Sequence, residues 1–221
     1  MAEFFDVYDE RGNWTGTAER SEVHARGLWH HTVHCWLVRP DKGEVGDDIN
    51  GSSGAKILFQ QRSGNKDTNP GSFDITAAGH LEAGESPKDV VRELEEELGA
   101  RVAFEQLVEF GIIREEESGE VGGVPYIDAE VSHVYGLVTS LSLMEFQLQE
   151  EEVSGLYEAD ADDMIALMEG KVKEVTVQGV QLREGELQAA ETVITCSSFV
   201  SRDYGYYIAI FKFLRDLAVN P

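Results

Sequence analysis

Strand-like and helix-like segments interleave along this 221-residue chain, which predicts the α/β (α+β) class with a mixed sheet. Three observations carry the prediction. Short runs that are apolar or alternate, such as HTVHCWLVR and AKILFQQR, read as strands. Residues 88–98 repeat their apolar positions at helical spacing between two such runs. A second helical stripe closes the chain.

In order, residues 4–8 form a strand followed by the turn ERGNW. Residues 31–39 and 55–62 form two strands, and GEVGDDINGSSG between them (43–54) reads as a long, variable hairpin loop, because Gly, Asn and Ser supply turn conformations at little steric cost. The helix at 88–98 follows. Strands at 106–115 and 126–138 are joined by the turn-rich SGEVGGVP. Residues 159–169 are helical, with Ile165, Ala166 and Met168 inward, and 172–177 is a further strand. QEEEVSGLYEADADDM reads as a polar turn leading into that helix, with Val153, Leu156 and Tyr157 packing. VTVQGVQLREGELQAAETV has the pattern of an inserted hairpin. Residues 204–219 form the closing helix, with Ile208, Phe211, Leu214 and Leu217 on one stripe. No repeat and no Pro-rich linker divides the chain. One domain spans 1–221, with additions at 1–30 (N-terminal) and 170–221 (C-terminal hairpin and helix).

Composition narrows the function. The chain has 42 Asp+Glu against 18 Lys+Arg, a formal charge of -24, with 42% hydrophobic residues, 10 Phe and 3 Trp. That is enough apolar material for a core. The charge excludes a partner held by Lys and Arg patches, so neither a nucleic-acid polymer nor a membrane surface is expected. Cys35 and Cys196 sit among apolar neighbours and make no disulfide framework; they read as inert thiols. The opening MAEFFDVYDERGNW lacks the pattern of a signal peptide, and no window is apolar enough to cross a bilayer, so a cytoplasmic location is expected.

The informative segment runs from Gly79 to Gly99. On the 88–98 helix, Val91, Leu94 and Leu98 share one face. Glu93, Glu96 and Glu97 share another, at spacings of three and four. Like charges so placed repel by roughly 0.2–0.5 kcal/mol per pair. A divalent cation reverses the sign, because hard cations seek clustered carboxylate oxygens. Before the helix, Gly79 and Gly84 permit unusual backbone angles, and Ser86-Pro87 reads as an N-cap with Pro at the first helical position. The competing reading is a solvated acidic helix face.

These residues resemble the Nudix box, G-x5-E-x7-R-E-U-x-E-E-x-G-U with U apolar. Gly79, Glu85, Arg92, Glu93, Leu94, Glu96, Glu97, Gly99 and Ala100 match it in order. One departure stands out: six residues, SPKDVV, separate Glu85 from Arg92 where the family has seven. One residue removed from a helix rotates what precedes it by about 100°, so the helix start or the loop must absorb the shift.

The resemblance implies an α/β/α sandwich and Mg²⁺- or Mn²⁺-dependent cleavage of a nucleoside diphosphate derivative or related small diphosphate. By position, Glu93, Glu96 and Glu97 would be metal ligands, with the Gly79 carbonyl beside them. Arg92 would orient the carboxylates, and Glu85 and His80 would support the loop. The proton of the attacking water would go to Glu93 or to a carboxylate outside the box. The outside candidate is Glu130, which shares a strand face with Asp128; a solvent-facing strand edge is the alternative.

A narrower similarity covers most of the chain. RSEVHARGLWHHTVHCWLV, ILFQQR, NPGSFDITAAGHLEAGES and DAEVSHVY look like the Nudix branch that includes type I isopentenyl-diphosphate isomerase. That resemblance places His24, His30, His80 and Glu130 where isomerase metal ligands stand. It also expects a cysteine before the Gly-His pair, where this chain has Ala78. The empty cysteine position and the retained glutamates favour hydrolysis over isomerisation. A catalytically silent binding module is the third reading. His24, His30, His31 and His34 also fit packed or exposed positions, Trp29 and Trp36 fit the core, and Arg62 and Lys66 fit either a phosphate contact or the surface. The carboxylates at 145–163 read as a solvated face rather than a second metal site. SSFVSRDYGYY fits a pocket wall or a dimer contact, and a homodimer is a reasonable expectation for a soluble enzyme. The negative charge and an anionic substrate are compatible, because a cation would mediate.

Overall fold

The computed structural model describes residues 2–41 and 54–219. All but the last residue of the 43–54 loop therefore lies outside the described residues. Among the described residues eleven strands form one sheet: β1 (Phe4–Tyr8), β2 (Trp14–Glu19), β3 (Trp29–Pro40), β4 (Ala55–Arg62), β5 (Phe73–Asp74), β6 (Ala77–His80), β7 (Val108–Val121), β8 (Val124–Val138), β9 (Val153–Asp160), β10 (Val175–Arg183) and β11 (Glu186–Ile194). Four α-helices complete it: α1 (Arg20–Arg26), α2 (Val90–Leu98), α3 (Ala161–Met168) and α4 (Tyr204–Val219).

β3 organises the sheet. One edge pairs in parallel with β8 from His30↔Glu130 to Val38↔Val138. The other edge takes three antiparallel partners in turn: β1 at Trp29–His30, β6 at Thr32–Cys35 and β4 at Leu37–Pro40. The path then runs β4-β9-β10-β11. The mixed sheet expected from the interleaved pattern is present, with antiparallel pairs in excess.

Alternation along the buried strands divides the core into two layers. Trp36, Val38, Ile57 and Phe59 face α3 and α4, joining Met164, Ile210, Phe211 and Leu214. Cys35, Leu37 and Leu58 face the opposite way and meet Leu94 and Leu98 of α2. The result is a helix–sheet–helix sandwich. Each fully buried Leu of α2 contributes roughly 1.5–3 kcal/mol by area.

Several boundaries differ from the sequence reading. β2 and α1 were not anticipated. The SGEVGGVP segment is mostly strand: β7 and β8 run on to a turn at Gly122-Gly123, both with positive φ. The polar turn expected at 149–164 holds β9, with Val153, Leu156 and Tyr157 buried in a strand, and α3 begins at Ala161 after the Asp160 side chain caps Asp162 N. Acidic flanks hid the strand because carboxylates in and beside it find partners elsewhere: Glu158 pairs with Arg39 and Asp162 with Arg215. Ala166 is half-buried, while Met164 and Leu167 fill the inward face of α3. On α4 the inward positions are Tyr206, Tyr207, Ile210, Phe211 and Leu214, with Ile208 and Leu217 at the margin. The 175–193 segment forms the expected hairpin, β10–β11. Among the described residues no helix is long and apolar enough to cross a membrane.

Candidate active site

A cavity of about 1290 Å³ opens between β6, the N-terminus of α2, the β7–β8 hairpin and the 62–69 segment. Its wall carries many charged side chains beside apolar ones such as Phe5, Val121 and Val200. Glu93, Glu96, Glu97 and Gly79 line one part and His24, His80, Asp128 and Glu130 another.

The helix that carries the glutamates starts in two stages. Residues Pro87–Asp89 form a single 3₁₀ turn, and the α-helix begins at Val90. Ser86 opens the turn: its amide and hydroxyl both donate to Asp89 Oδ2, at 2.8 and 3.0 Å. A 3₁₀ turn holds three residues where an α turn holds 3.6. Over three residues the tighter winding recovers about 60° of the roughly 100° of rotation lost with the missing residue, and α2 runs unbroken from Val90 to Leu98. At the other end Gly99 takes φ 66°, and its amide and that of Ala100 close the helix on Glu95 O and Leu94 O. A Cβ there would stand 2.7 Å from Gln147 Cβ.

Glu93 and Glu97 are buried, while Glu96 is half exposed. Glu97 Oε2 accepts from Ala78 N and Gln60 Nε2, each at 3.3 Å. Glu93 lies against Gly79 so closely that a Cβ on Gly79 would fall 2.2 Å from the Glu93 carboxyl carbon. Burial pushes Glu93 up to about 7, with Arg92 opposing the rise and Glu96 adding to it. Burial and then Glu93 push Glu97 well above the carboxylate range. Arg92 connects the group. It donates from Nε and Nη2 to Glu85 (3.0 and 3.1 Å) and from Nη1 to Glu96 (2.8 Å), and Nη2 lies 2.8 Å from Glu93 Oε1. The Glu85–Arg92 pair is therefore made despite the shortened box.

A metal fits this group. The donors are hard carboxylate oxygens beside a backbone carbonyl, gathered where only one guanidinium balances them, and Gly79 leaves the space in which they converge.

The second part is nitrogen-rich. His24 (α1), His30 (β3), His80 (β6) and Asp128 (β8) each aim one ligand atom inward, all within 4.8 Å of one another. His24 Nε2, His30 Nε2, His80 Nε2 and Asp128 Oδ1 are buried without hydrogen-bond partners. His30 Nδ1 lies 3.0 Å from Leu28 O, which as donor leaves Nε2 with its lone pair free. Burial lowers the pKa of His30 and of His80, so both are neutral at physiological pH. Phe5 stacks on both rings. The residue that completes this set is Asp128; Glu130 stands behind it, 3.6 Å from His80 Nε2, and burial followed by Asp128 raises it to about 8.

Arg62 and Lys66 also line the cavity, Arg62 held by Asp74 and Thr68 and Lys66 paired with Glu152. Further sequence candidates pack away from the box glutamates. Trp36 and His34 pack in the core and share the Tyr206 hydroxyl. His31 pairs with His133 on the opposite face of β3. Trp29 lies under Arg114. Cys35 is fully buried, and Cys196 is half-buried with Sγ on Leu167 O. The SSFVSRDYGYY segment, read in sequence as a pocket wall or a dimer contact, does line the cavity; its Arg202, not singled out in that reading, binds Asp74 at 2.6 Å.

Comparison with known proteins agrees with this geometry. A NUDIX domain model matches residues 29–178. An uncharacterized Nudix hydrolase of Clostridium acetobutylicum is 35% identical over 215 residues, 97% of this chain and 98% of its own length. The Escherichia coli Nudix hydrolase YfcD is 31% identical over 69% of this chain and 71% of its own. Nudix hydrolase 3 of Arabidopsis thaliana is 38% identical over 70% of this chain, a match spanning 19% of that protein. Among solved structures, DR0079 from Deinococcus radiodurans aligns over 76% of this chain and 90% of its own at 17% identity, with a TM-score of 0.49.

Proposed function

The chain belongs to the Nudix family and is a diphosphate hydrolase; from that premise we propose that Glu93, Glu96, Glu97 and the Gly79 carbonyl form its metal site, with Mg²⁺ or Mn²⁺ as the ion and a small-molecule diphosphate as substrate. The observation that carries this reading is the pair of buried carboxylates, Glu93 and Glu97, closed around the space that Gly79 leaves.

A bound divalent ion there supplies charge neutralisation of the diphosphate and acidification of a water. The protein's own groups do the rest. Arg92 fixes the rotamers of Glu93 and Glu96 and is itself fixed by the Glu85 fork. Glu93 is one candidate to accept the proton of the attacking water at its carboxylate. Glu130, whose carboxyl is raised, is the second candidate for that proton from the other part of the cavity.

The histidine cluster supports a second ion of a softer class, since three imidazoles and one carboxylate suit a transition metal. It is also the observation that favours an isomerase-like alternative, in which the resemblance places these residues as ligands. Ala78 leaves that reaction without its cysteine. The completed Glu85–Arg92 pair removes the motive for a silent binding module.

The test is a panel of nucleoside diphosphate derivatives and isopentenyl diphosphate, each with Mg²⁺ or with EDTA. Cleavage with Mg²⁺ that disappears in EDTA and in the Glu96→Gln/Glu97→Gln double variant is expected. Isomerised isopentenyl diphosphate, or binding without turnover at any metal concentration, overturns it.

A further inference from the structure

The loop of the box that precedes Glu85 is braced from outside the stretch that matches the family. Residues 82–84 are exposed, and β1 runs along their outer side. Phe5 bridges to Glu82, Ala83 N donates to Phe4 O at 2.7 Å, and Gly84 N donates to Asp6 Oδ2 at 2.9 Å. Gly84 sits at φ 88°, which turns this amide out toward β1. The other oxygen of Asp6 accepts from Trp14 Nε1 of β2 at 2.8 Å. Both oxygens are therefore committed to fixed donors, and the carboxyl is held below its usual range, first by the Gly84 amide and then by Trp14.

On its inner side the loop connects to the site. Glu82 N donates to Glu85 Oε2 at 2.8 Å, and Glu85 N donates to Glu82 O at 2.9 Å. Glu85 then forks Arg92, which holds Glu93 and Glu96. A continuous relay of hydrogen bonds runs from Trp14 through Asp6, the 82–85 loop and Arg92 to the carboxylates.

We propose that Asp6 is a positioning residue for the metal site, and that β1 is the outer wall of the catalytic loop rather than a peripheral addition. β1 supplies the acceptors for the Ala83 and Gly84 amides on the outer side of the 82–84 loop. The kinetic part of this proposal rests on the hydrolase reading; the structural part does not.

The experiment uses the full chain with Asp6→Ala, and Asp9→Ala as a control. Asp9 caps the β1–β2 turn through Arg11 N and Asn13 N without touching the loop. Mn²⁺ affinity is read by electron paramagnetic resonance of free Mn²⁺, and hydrogen exchange is read at the Ala83 and Gly84 amides by NMR. Asp6→Ala is expected to weaken Mn²⁺ binding about tenfold, the scale of losing an outer partner of a metal ligand, and to speed exchange at Gly84. Asp9→Ala is expected to change neither. If Asp6→Ala does not fold, Trp14→Phe removes only the donor that fixes Asp6 and is expected to shift both readouts the same way. Unchanged Mn²⁺ affinity and Gly84 exchange, with only a lower melting temperature, overturn the proposal. If wild type binds Mn²⁺ but cleaves no diphosphate, the hydrolase reading fails and the brace still stands on both readouts. If wild type binds no Mn²⁺, Gly84 exchange alone decides: faster exchange in Asp6→Ala upholds the brace, and unchanged exchange overturns it.

Discussion

Arg92 meets Glu85 side-on, with Nε and Nη2 each donating to a different carboxylate oxygen at 3.0 and 3.1 Å. This fork places the remaining donors of Arg92 toward Glu93 and Glu96. A lysine carries the charge but not the fork. Arg92→Lys and Glu85→Gln are therefore each expected to lower kcat/KM by about 10- to 100-fold. The melting temperature is expected to move little, because both side chains are partly solvated and such pairs contribute about 0–1 kcal/mol. Activity within twofold of wild type for Arg92→Lys would show that the fork orients nothing.

Gly79 gives a sharper test. A methyl group there collides with the Glu93 carboxylate, and both belong to packed elements, β6 and α2. Gly79→Ala is expected to displace Glu93, abolish most turnover at any Mg²⁺ concentration, and leave the circular dichroism spectrum of the fold in place. Gly84→Ala is the contrast: no atom lies within 4 Å of its added methyl, so only the strain of its positive φ is felt. Equal activities for the two variants would contradict the packing argument.

The raised carboxyl of Glu93 links metal to stability. Its ordinary value is 4.5 and its folded value about 7, so the folded protein holds a proton that the unfolded chain releases across that window. The stabilisation is fully present below pH 4.5 and is lost as pH rises through 7. In EDTA, Glu93→Gln is therefore expected to be more stable than wild type above pH 7, by at most about 3 kcal/mol, with the gap closing toward pH 4.5. Mg²⁺ is expected to raise the melting temperature of wild type more at pH 8 than at pH 5, and to do so far less in the variant. A gap that widens on acidification has the wrong sign for this account.

Much of this was legible in the sequence because it rests on local patterns. The α2 register, the β3 and β4 runs and the 175–193 hairpin each follow from periodicity within one segment. β9 was not legible: its Glu158 pairs with Arg39, which lies far away in the chain. The same holds at the site. The box glutamates lie within five residues of one another, so spacing alone groups them. The choice of Asp128 over Glu130 at the histidines depends on how β8 registers against β3 and β6, which no spacing encodes. The brace on the 82–84 loop was not legible because it comes from Asp6, some eighty residues upstream in sequence and 2.9 Å away in space.

The histidine cluster supplies the last prediction. Four buried ligand atoms without hydrogen-bond partners cost roughly 1–3 kcal/mol each when left unsatisfied. An ion among them removes that cost and couples α1 to β3, β6 and β8. Co²⁺ titrated into metal-free protein is expected to give the visible absorption of a nitrogen-ligated ion at one equivalent, and to raise the melting temperature. Asp128→Asn and His24→Gln are each expected to weaken this signal at least tenfold. Glu96→Gln/Glu97→Gln is expected to leave it intact, because those carboxylates belong to the other part of the cavity. A Co²⁺ spectrum that survives both substitutions in the cluster, or that vanishes with the box glutamates, would assign the bound ion to α2 and leave the histidines as packed side chains.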